Sequence, residues 1–470
     1  MAHRPRPLRP PGAPHRDRPR LSRRPAVTRS SQDAGLRDHA SRRSAARRAL
    51  WQAAGLSLGV AAALGLGRFA YGLLVPGMRT ALGWSLAQAG AMTTANGAGY
   101  LAGALVTAAV TRRLGLSVTF RAGMILTSVS LAATAVSGEA AAQVVLRAVA
   151  GLGCALVFVT GGVLAGRLAT RSGSASPIGV YYAGGGLGIV LSGAVVPFVA
   201  PDRWQLVWLG FGLAALAGTA IGWRAALSAG AKTDAPGRVC AEVDEAAARS
   251  HPPRPARMGK GVVRPRPPRP AVGEGAARPH LARLWRIAVV YALFGAGYLA
   301  YLTFLSEFLA GQRASPFQVA LTWTVVGVSA LVAPALWNRP IAAWRDARAL
   351  AVLLAVQAVA ATAPLAGAAP LLSAIAFGLT LMVIPSAVTA LVRATVPEAA
   401  WTGVLGALTV VFAAGQTAGP WVAGALADLT TPGMALAWNA ALCGCAALVA
   451  LTWQATEPHH RASTGTAPGT

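Results

Sequence analysis

The chain has 470 residues, of which 54% are hydrophobic and only 12% charged, and its mean hydropathy is +0.51; this excludes an ordinary soluble protein and reads as a polytopic membrane protein. The formal net charge of +27 does not mark a nucleic-acid binder, because the arginines crowd into two Pro-rich stretches, residues 1–49 and 227–284, without a folded motif or the aromatic interleaving of base recognition. Four cysteines are too few for a disulfide framework, and Cys443 and Cys445 point to different faces of one helix with no His or carboxylate beside them, so neither a metal nor a cofactor is expected.

In chain order, residues 1–49 form a basic tail that buries too little apolar surface to fold, and it is expected to be disordered and cytoplasmic. Its twin arginines, Arg23 with Arg24 and Arg42 with Arg43, precede an apolar run long enough to span. With no small-residue cleavage site, that run reads as a retained first helix and not an export signal. At about 20 residues per crossing of about 30 Å, spans fall at 50–76, 86–110, 116–137, 140–166, 177–200 and 204–226. After a basic linker at 227–284 come 285–310, 317–337, 347–366, 369–392, 402–427 and 434–454, followed by a tail at 455–470. The expected fold is all-α with twelve transmembrane helices, six in 50–226 and six in 285–454.

Arginine bias sets the orientation. Arg112, Arg113, Arg167, Arg171, the linker, Arg339, Arg345, Arg348, Arg393 and Arg461 fall on one side, while the opposite turns carry only Arg79, Glu139, Asp202, Arg203 and Arg313. By the positive-inside rule both termini are expected in the cytoplasm of a cell-membrane protein.

The two sets of spans repeat. Gly65, Gly67, Ala70 and Tyr71 recur 230 residues later as Gly295, Gly297, Ala300 and Tyr301; Ser85, Gln88 and Gly97 recur as Ser315, Gln318 and Gly327. Gly184, Gly188 and Gly193 reappear 231 residues on as Gly415, Gly419 and Gly424. Two same-sense halves predict a secondary transporter with a pseudo-twofold axis along the membrane normal and a substrate site between the halves.

Finer motifs carry a family resemblance. GLGRFAYGLLVPGM at Gly65–Met78, WSLAQAG at Trp84–Gly90, ANGAGYLAG at Ala95–Gly103 and GQTAGPWVAG at Gly415–Gly424 resemble the YbfB/YjiJ group of the major facilitator superfamily. Arg147, Gly151 and Ala155 in RAVAGLGCA resemble the fourth-helix motif of that superfamily's antiporters. One departure stands out: the loop VTRRLG has Thr111 in the region where the superfamily usually has an Asp.

Arg68 and Arg147 stand inside spans one and four, where a charge costs about 2.5–3.5 kcal/mol on insertion scales and needs an explanation. Because helices one and four line the superfamily's central cavity, the resemblance implies that both face it as an anion-binding or proton-responsive site; the alternative is that each caps carbonyls or snorkels outward. Glu307, near the outer end of span seven, and Asp428, at that of span eleven, are the candidate proton-coupling acids, against simple solvation at the interface. Glu307 is expected to approach the arginines when the carrier closes outward. Tyr71, Asn96, Tyr181, Tyr182, Tyr298, Tyr301 and Gln416 complete the candidate substrate-binding set, with a neighbouring helix as the competing partner of each. The glycines of spans five and eleven read as packing and rocking surfaces.

A monomeric, proton-coupled carrier of a small organic solute leads. Few acids and several arginines favour small anions or amphipaths over large cations. A membrane-embedded enzyme and a non-transporting sensor or scaffold are the alternatives. The first would need a catalytic set at depth, and the spans hold no His, no paired carboxylates and no metal-ligand spacing.

Overall fold

A computed structural model describes residues 29–199, 203–230, 278–344, 347–367, 370–397 and 400–452. The chain divides into two compact units, Met1–Arg47 and Arg48–Thr470. Of the first, the described part is helical from Arg29.

The described elements are helices throughout: α1 (Arg29–Val60), a π-helical segment (Ala61–Phe69), α2 (Tyr71–Leu82), α3 (Leu86–Leu114), α4 (Leu116–Thr134), α5 (Ala140–Ser172), α6 (Ser176–Val195) with a short 3-10 turn (Val196–Phe198), and α7 (Trp204–Gly230). Then come α8 (Arg278–Gly311), α9 (Pro316–Ala343), α10 (Arg348–Thr362), α11 (Pro370–Leu381), α12 (Val383–Thr395), α13 (Trp401–Asp428) and α14 (Gly433–Leu451). Every expected span falls on a helix, and among the described residues 10 helical stretches are long and apolar enough to cross a membrane. The remaining two expected spans fall on α3 and α10. With 15 residues, α10 rises only about 22 Å against about 30 Å of hydrocarbon. With 29 residues α3 is long enough, but its Ala-, Gly- and Thr-rich sequence is weakly apolar.

Two boundaries differ from expectation. Residues 29–49 are helical instead of disordered, because beyond Pro25 the tail holds no proline and is rich in Ala and Arg, both good helix formers. Likewise α8 starts at Arg278, inside the expected linker. The disorder expected for residues 1–28 and 231–277, and the tail at 453–470, lie outside the described residues.

The repeated Ser and Gln are capping boxes at equivalent helix starts. Ser85 Oγ accepts from the Gln88 N–H at 3.2 Å and Gln88 Oε1 from the Ser85 N–H at 2.9 Å; Ser315 and Gln318 do the same for α9 at 3.3 and 2.8 Å. Each box satisfies first-turn donors that would otherwise lack partners.

Glycines set the helix approaches. On α6, a Cβ at Gly184 would collide with the Ser57 carbonyl and one at Gly188 would lie 2.6 Å from the Ala61 carbonyl. The repeat-related Gly415 and Gly419 on α13 meet the Ala292 and Ala296 carbonyls of α8 in the same way. Between α3 and α13, Gly90 abuts Pro420, Gly424 abuts the Leu86 carbonyl, and a Cβ at Gly97 would lie 3.1 Å from Thr417 Cα. Between α6 and α9, Cβ atoms at Gly193 and Gly327 would lie 2.7 Å from Trp323 and Val190. Toward the opposite ends, Gly403 and Gly406 of α13 and Gly179 of α6 meet nothing within 4 Å. Both pairs therefore touch at the end marked by Ser85 and Ser315 and diverge toward the end marked by Arg112.

Gly99 on α3 faces the Ala148 carbonyl of α5 with no room for a methyl group. Gly99→Ala should cost about 1–3 kcal/mol by overpacking, read as a thermal midpoint several degrees lower in detergent. Gly166→Ala, where a Cβ meets nothing within 4 Å, should leave the midpoint equal or higher, since alanine is the better helix former.

Candidate functional site

Midway along the helices lies a cavity of about 200 Å³. Tyr291, Phe294 and Tyr298, spaced at helical intervals on one face of α8, form a wall with Phe412 and Gln416 from consecutive turns of α13. Gly295 allows this approach, because a Cβ there would lie 2.6 Å from the Phe412 carbonyl. The four rings are nearly parallel: Tyr291 and Phe412 lie 4.5 Å apart at 18°, Phe294 and Tyr298 5.1 Å at 17°, and Tyr298 and Phe412 5.6 Å at 13°. Tyr100 of α3 and Phe158 of α5 face them.

Arg68 enters this cavity from the π-helical segment, where the Ala70 N–H reaches back five residues to the Gly65 carbonyl at 2.9 Å. Wide turns of this kind occur frequently at functional sites. Arg68 is 4% exposed. Its guanidinium lies 5.0 Å from the centre of the Tyr100 ring, and Nε and Nη2 are buried without hydrogen-bond partners. Opposite, Gln416 Oε1 accepts from the Tyr298 hydroxyl at 2.8 Å, leaving Nε2 without a partner. Arg68, Tyr298 and Gln416 are thus the sequence candidates that meet at the cavity.

Others sit elsewhere. Arg147 is buried behind the lining, donating from Nη1 to the Gly67 carbonyl at 2.7 Å, with its guanidinium 4.7 Å from the Tyr71 ring centre and 5.3 Å from that of Trp208. Tyr71 donates to the Ala89 carbonyl at 2.9 Å. Asn96 fastens α3 to α5 through the Arg147 carbonyl at 3.2 Å. Tyr181 donates to the Val157 carbonyl at 2.9 Å. Tyr301 pairs with Ser373 at 2.6 Å and is the donor, because the Ser373 hydrogen goes to the Ala360 carbonyl. Tyr182 is 44% exposed and packs on Phe158. These six side chains were expected at the cavity; each of the five buried ones instead binds a neighbour in the packing.

The acids gather at the closed end. Glu307 forms an ion pair with Arg79 of α2, not with Arg68 or Arg147 as expected, because its place one turn from the end of α8 sets it level with the last turn of α2. Its Oε2 is buried without a partner. Asp428 crosses to the start of α3, taking the Leu86 N–H on Oδ1 at 2.7 Å and the Ala87 N–H on Oδ2 at 2.8 Å. A carboxylate there satisfies orphan donors and meets the positive end of the helix dipole. An apolar cavity of about 170 Å³ lies at the same level among Pro76, Pro197, Trp204 and Pro316.

Sequence reading passed over Arg79, Tyr100, Phe158, Tyr291, Phe294 and Phe412. A signal existed for three of them, since Tyr291 and Phe294 keep helical spacing with Tyr298 and Phe412 with Gln416. Nothing local marked Arg79, whose partner is 228 residues away.

Helices that touch at one end and diverge at the other around a central cavity define a secondary transporter of the major facilitator class, embedded as a multi-pass protein in the cell membrane. The chain belongs to the family described as "Uncharacterised MFS-type transporter YbfB", which matches residues 60–251 and 262–454. A comparison with curated protein sequences gives no match. Among solved structures, the chain is similar to the nucleoside transporter NupG, at 13% identity and a TM-score of 0.61 over 86% of this chain and 97% of that one. It is similar to a D-xylose-proton symporter, at 14% and 0.62 over 87% and 97%, and to the human organic anion transporter MFSD10, at 17% and 0.52 over 86% and 99%. At these identities the likeness is one of fold.

Arg147 makes one hydrogen bond and otherwise packs on rings. Arg147→Met, which keeps the bulk without the buried charge, should hold stability within about 1 kcal/mol or raise it. Arg147→Ala should lose about 2–4 kcal/mol through the void. Thermal unfolding of the purified variants reads both.

Proposed function

We propose that this transporter moves a small organic solute by alternating access, coupled to protons. It works as a monomer with twelve spans in two six-helix bundles, 50–226 and 285–454, and with both termini in the cytoplasm. The Ser85 end then faces outward, so the conformation described is closed to the outside. The observation that carries the reading is the outer seal, in which both acids bind elements of the other bundle: Glu307 pairs with Arg79 and Asp428 holds the first amides of α3.

Opening outward must break both contacts. A proton on Glu307 removes the charge that Arg79 answers, and the unpartnered Oε2 is the oxygen placed to receive it. Asp428 acts as a clamp, because both its oxygens are engaged by backbone donors. That a D-xylose-proton symporter uses the same fold agrees with the coupling.

Everted vesicles with an imposed pH gradient test this. A solute that the carrier accepts should dissipate the gradient with wild type and not with Glu307→Gln, which should still exchange labelled solute. Unaltered dissipation in Glu307→Gln would remove the glutamate from the mechanism.

The seal predicts a second outcome. Ser306 is 3% exposed at the closed end, so Ser306→Cys, in a background without the four native cysteines, should label slowly from outside. Adding Glu307→Gln should speed labelling about fivefold for each kcal/mol the ion pair contributes. Equal rates would deny the pair a sealing role.

A further inference from the structure

We infer that the solute is a small aromatic carboxylate, held through its carboxylate by Arg68 and Gln416 and through its ring by the bank of Tyr291, Phe294, Tyr298 and Phe412. This rests on reading the central cavity as the transport site and adds the chemistry of its occupant.

Charge comes first. Arg68 is the only charged residue in the lining, and no acid pairs with it among the described residues. Buried cations without a counter-charge are costly. A ligand that brings one negative charge is the complement.

Hydrogen-bond capacity points the same way. Gln416 Oε1 is taken by the Tyr298 hydroxyl, and the Thr409 hydroxyl by the Leu405 carbonyl. The polar atoms of Arg68 and Gln416 left without partners are Nε, Nη2 and the amide Nε2. All are donors and all are buried beneath the cavity surface, so an occupant that draws them out by a side-chain turn must supply acceptors. Two guanidinium nitrogens in a fixed fork match the two oxygens of a carboxylate.

The wall decides the remainder of the molecule. Four rings stacked on one another within 18° of parallel offer the cavity aromatic edges and the outer face of an end ring, on which another aromatic group packs edge-on or offset at 4.5–7 Å between centres. A cavity of about 200 Å³ is smaller than the roughly 300–1,000 Å³ of drug-sized sites, which limits the occupant to one ring or a fused pair.

The test uses the purified full chain in detergent with 2-naphthoate as probe, read by thermal stabilisation and by equilibrium binding. Its comparators are 2-naphthylmethanol, 2-naphthylamine and cyclohexanecarboxylate. 2-Naphthoate should bind at least about tenfold more tightly than the alcohol or amine, since a charge-assisted pair contributes about that much or more. It should also bind more tightly than the non-aromatic acid. Arg68→Met should remove the response to 2-naphthoate. Should that variant fold poorly, Gln416→Glu, nearly isosteric and still able to accept from Tyr298, should weaken 2-naphthoate at least about tenfold by facing it with a like charge. Equal binding of the amine, equal binding of cyclohexanecarboxylate, or an undiminished 2-naphthoate response in both variants would overturn the proposal. Arg68-dependent binding without movement across proteoliposomes would uphold the site and reject the transport reading. Arg68-dependent transport of aliphatic acids alone would reject the aromatic assignment and keep the carrier.

Discussion

Everything in this molecule hangs on backbones meeting without side chains between them. In lipid no hydrophobic force draws helices together, so close van der Waals approach must do it. At Gly184, Gly188, Gly415 and Gly419 a carbonyl of the facing helix occupies the space that a methyl group would need. Those contacts fix α6 against the π-helical segment and α13 against α8, which in turn sets the width of the cavity that Arg68 and Gln416 share.

The sequence repeat puts different residues to work at matched positions. Tyr71 and Tyr301 hold equivalent positions in the repeat; the first faces Arg147, while the second stacks on Phe377 at 3.9 Å, and 147 and 377 are themselves 230 apart. A cation on a ring in one half is thus a ring on a ring in the other, which marks the Arg147 position as one whose common task is packing. Arg68 and Tyr298 are likewise repeat mates, and both reach the cavity, one as a charge and the other as a hydroxyl. At the closed end the asymmetry returns: α3 offers the N–H groups of Leu86 and Ala87 to Asp428, whereas α9 starts with Pro316, which has no N–H to offer.

Much of this was legible in the chain because it is local or periodic. Hydropathy placed the helices, Ser85 with Gln88 and Ser315 with Gln318 announced capping boxes, and the glycine repeat located the tight contacts. What escaped depends on tertiary partners. Tyr71, Tyr181 and Tyr301 look like lining residues in sequence, yet a tyrosine with a carbonyl or hydroxyl in reach is satisfied within the packing. The pairing of Glu307 with Arg79 needed the relative height of two helices far apart in sequence. The widened turn at Ala61–Phe69 left no mark beyond its glycines.

The glycine contact at Thr417 has a mechanical meaning. It lies 11 residues from Asp428, which grips α3, and 11 residues from Gly406, where an added Cβ would meet nothing within 4 Å, so the two arms of α13 are each about 16 Å long at 1.5 Å per residue. A helix turning as one body about that contact is a balance beam with equal arms. Whatever distance Asp428 retreats from the amides of Leu86 and Ala87, the Gly406 end advances by the same amount, so the gap opened on one face of the membrane is matched by the gap removed from the other.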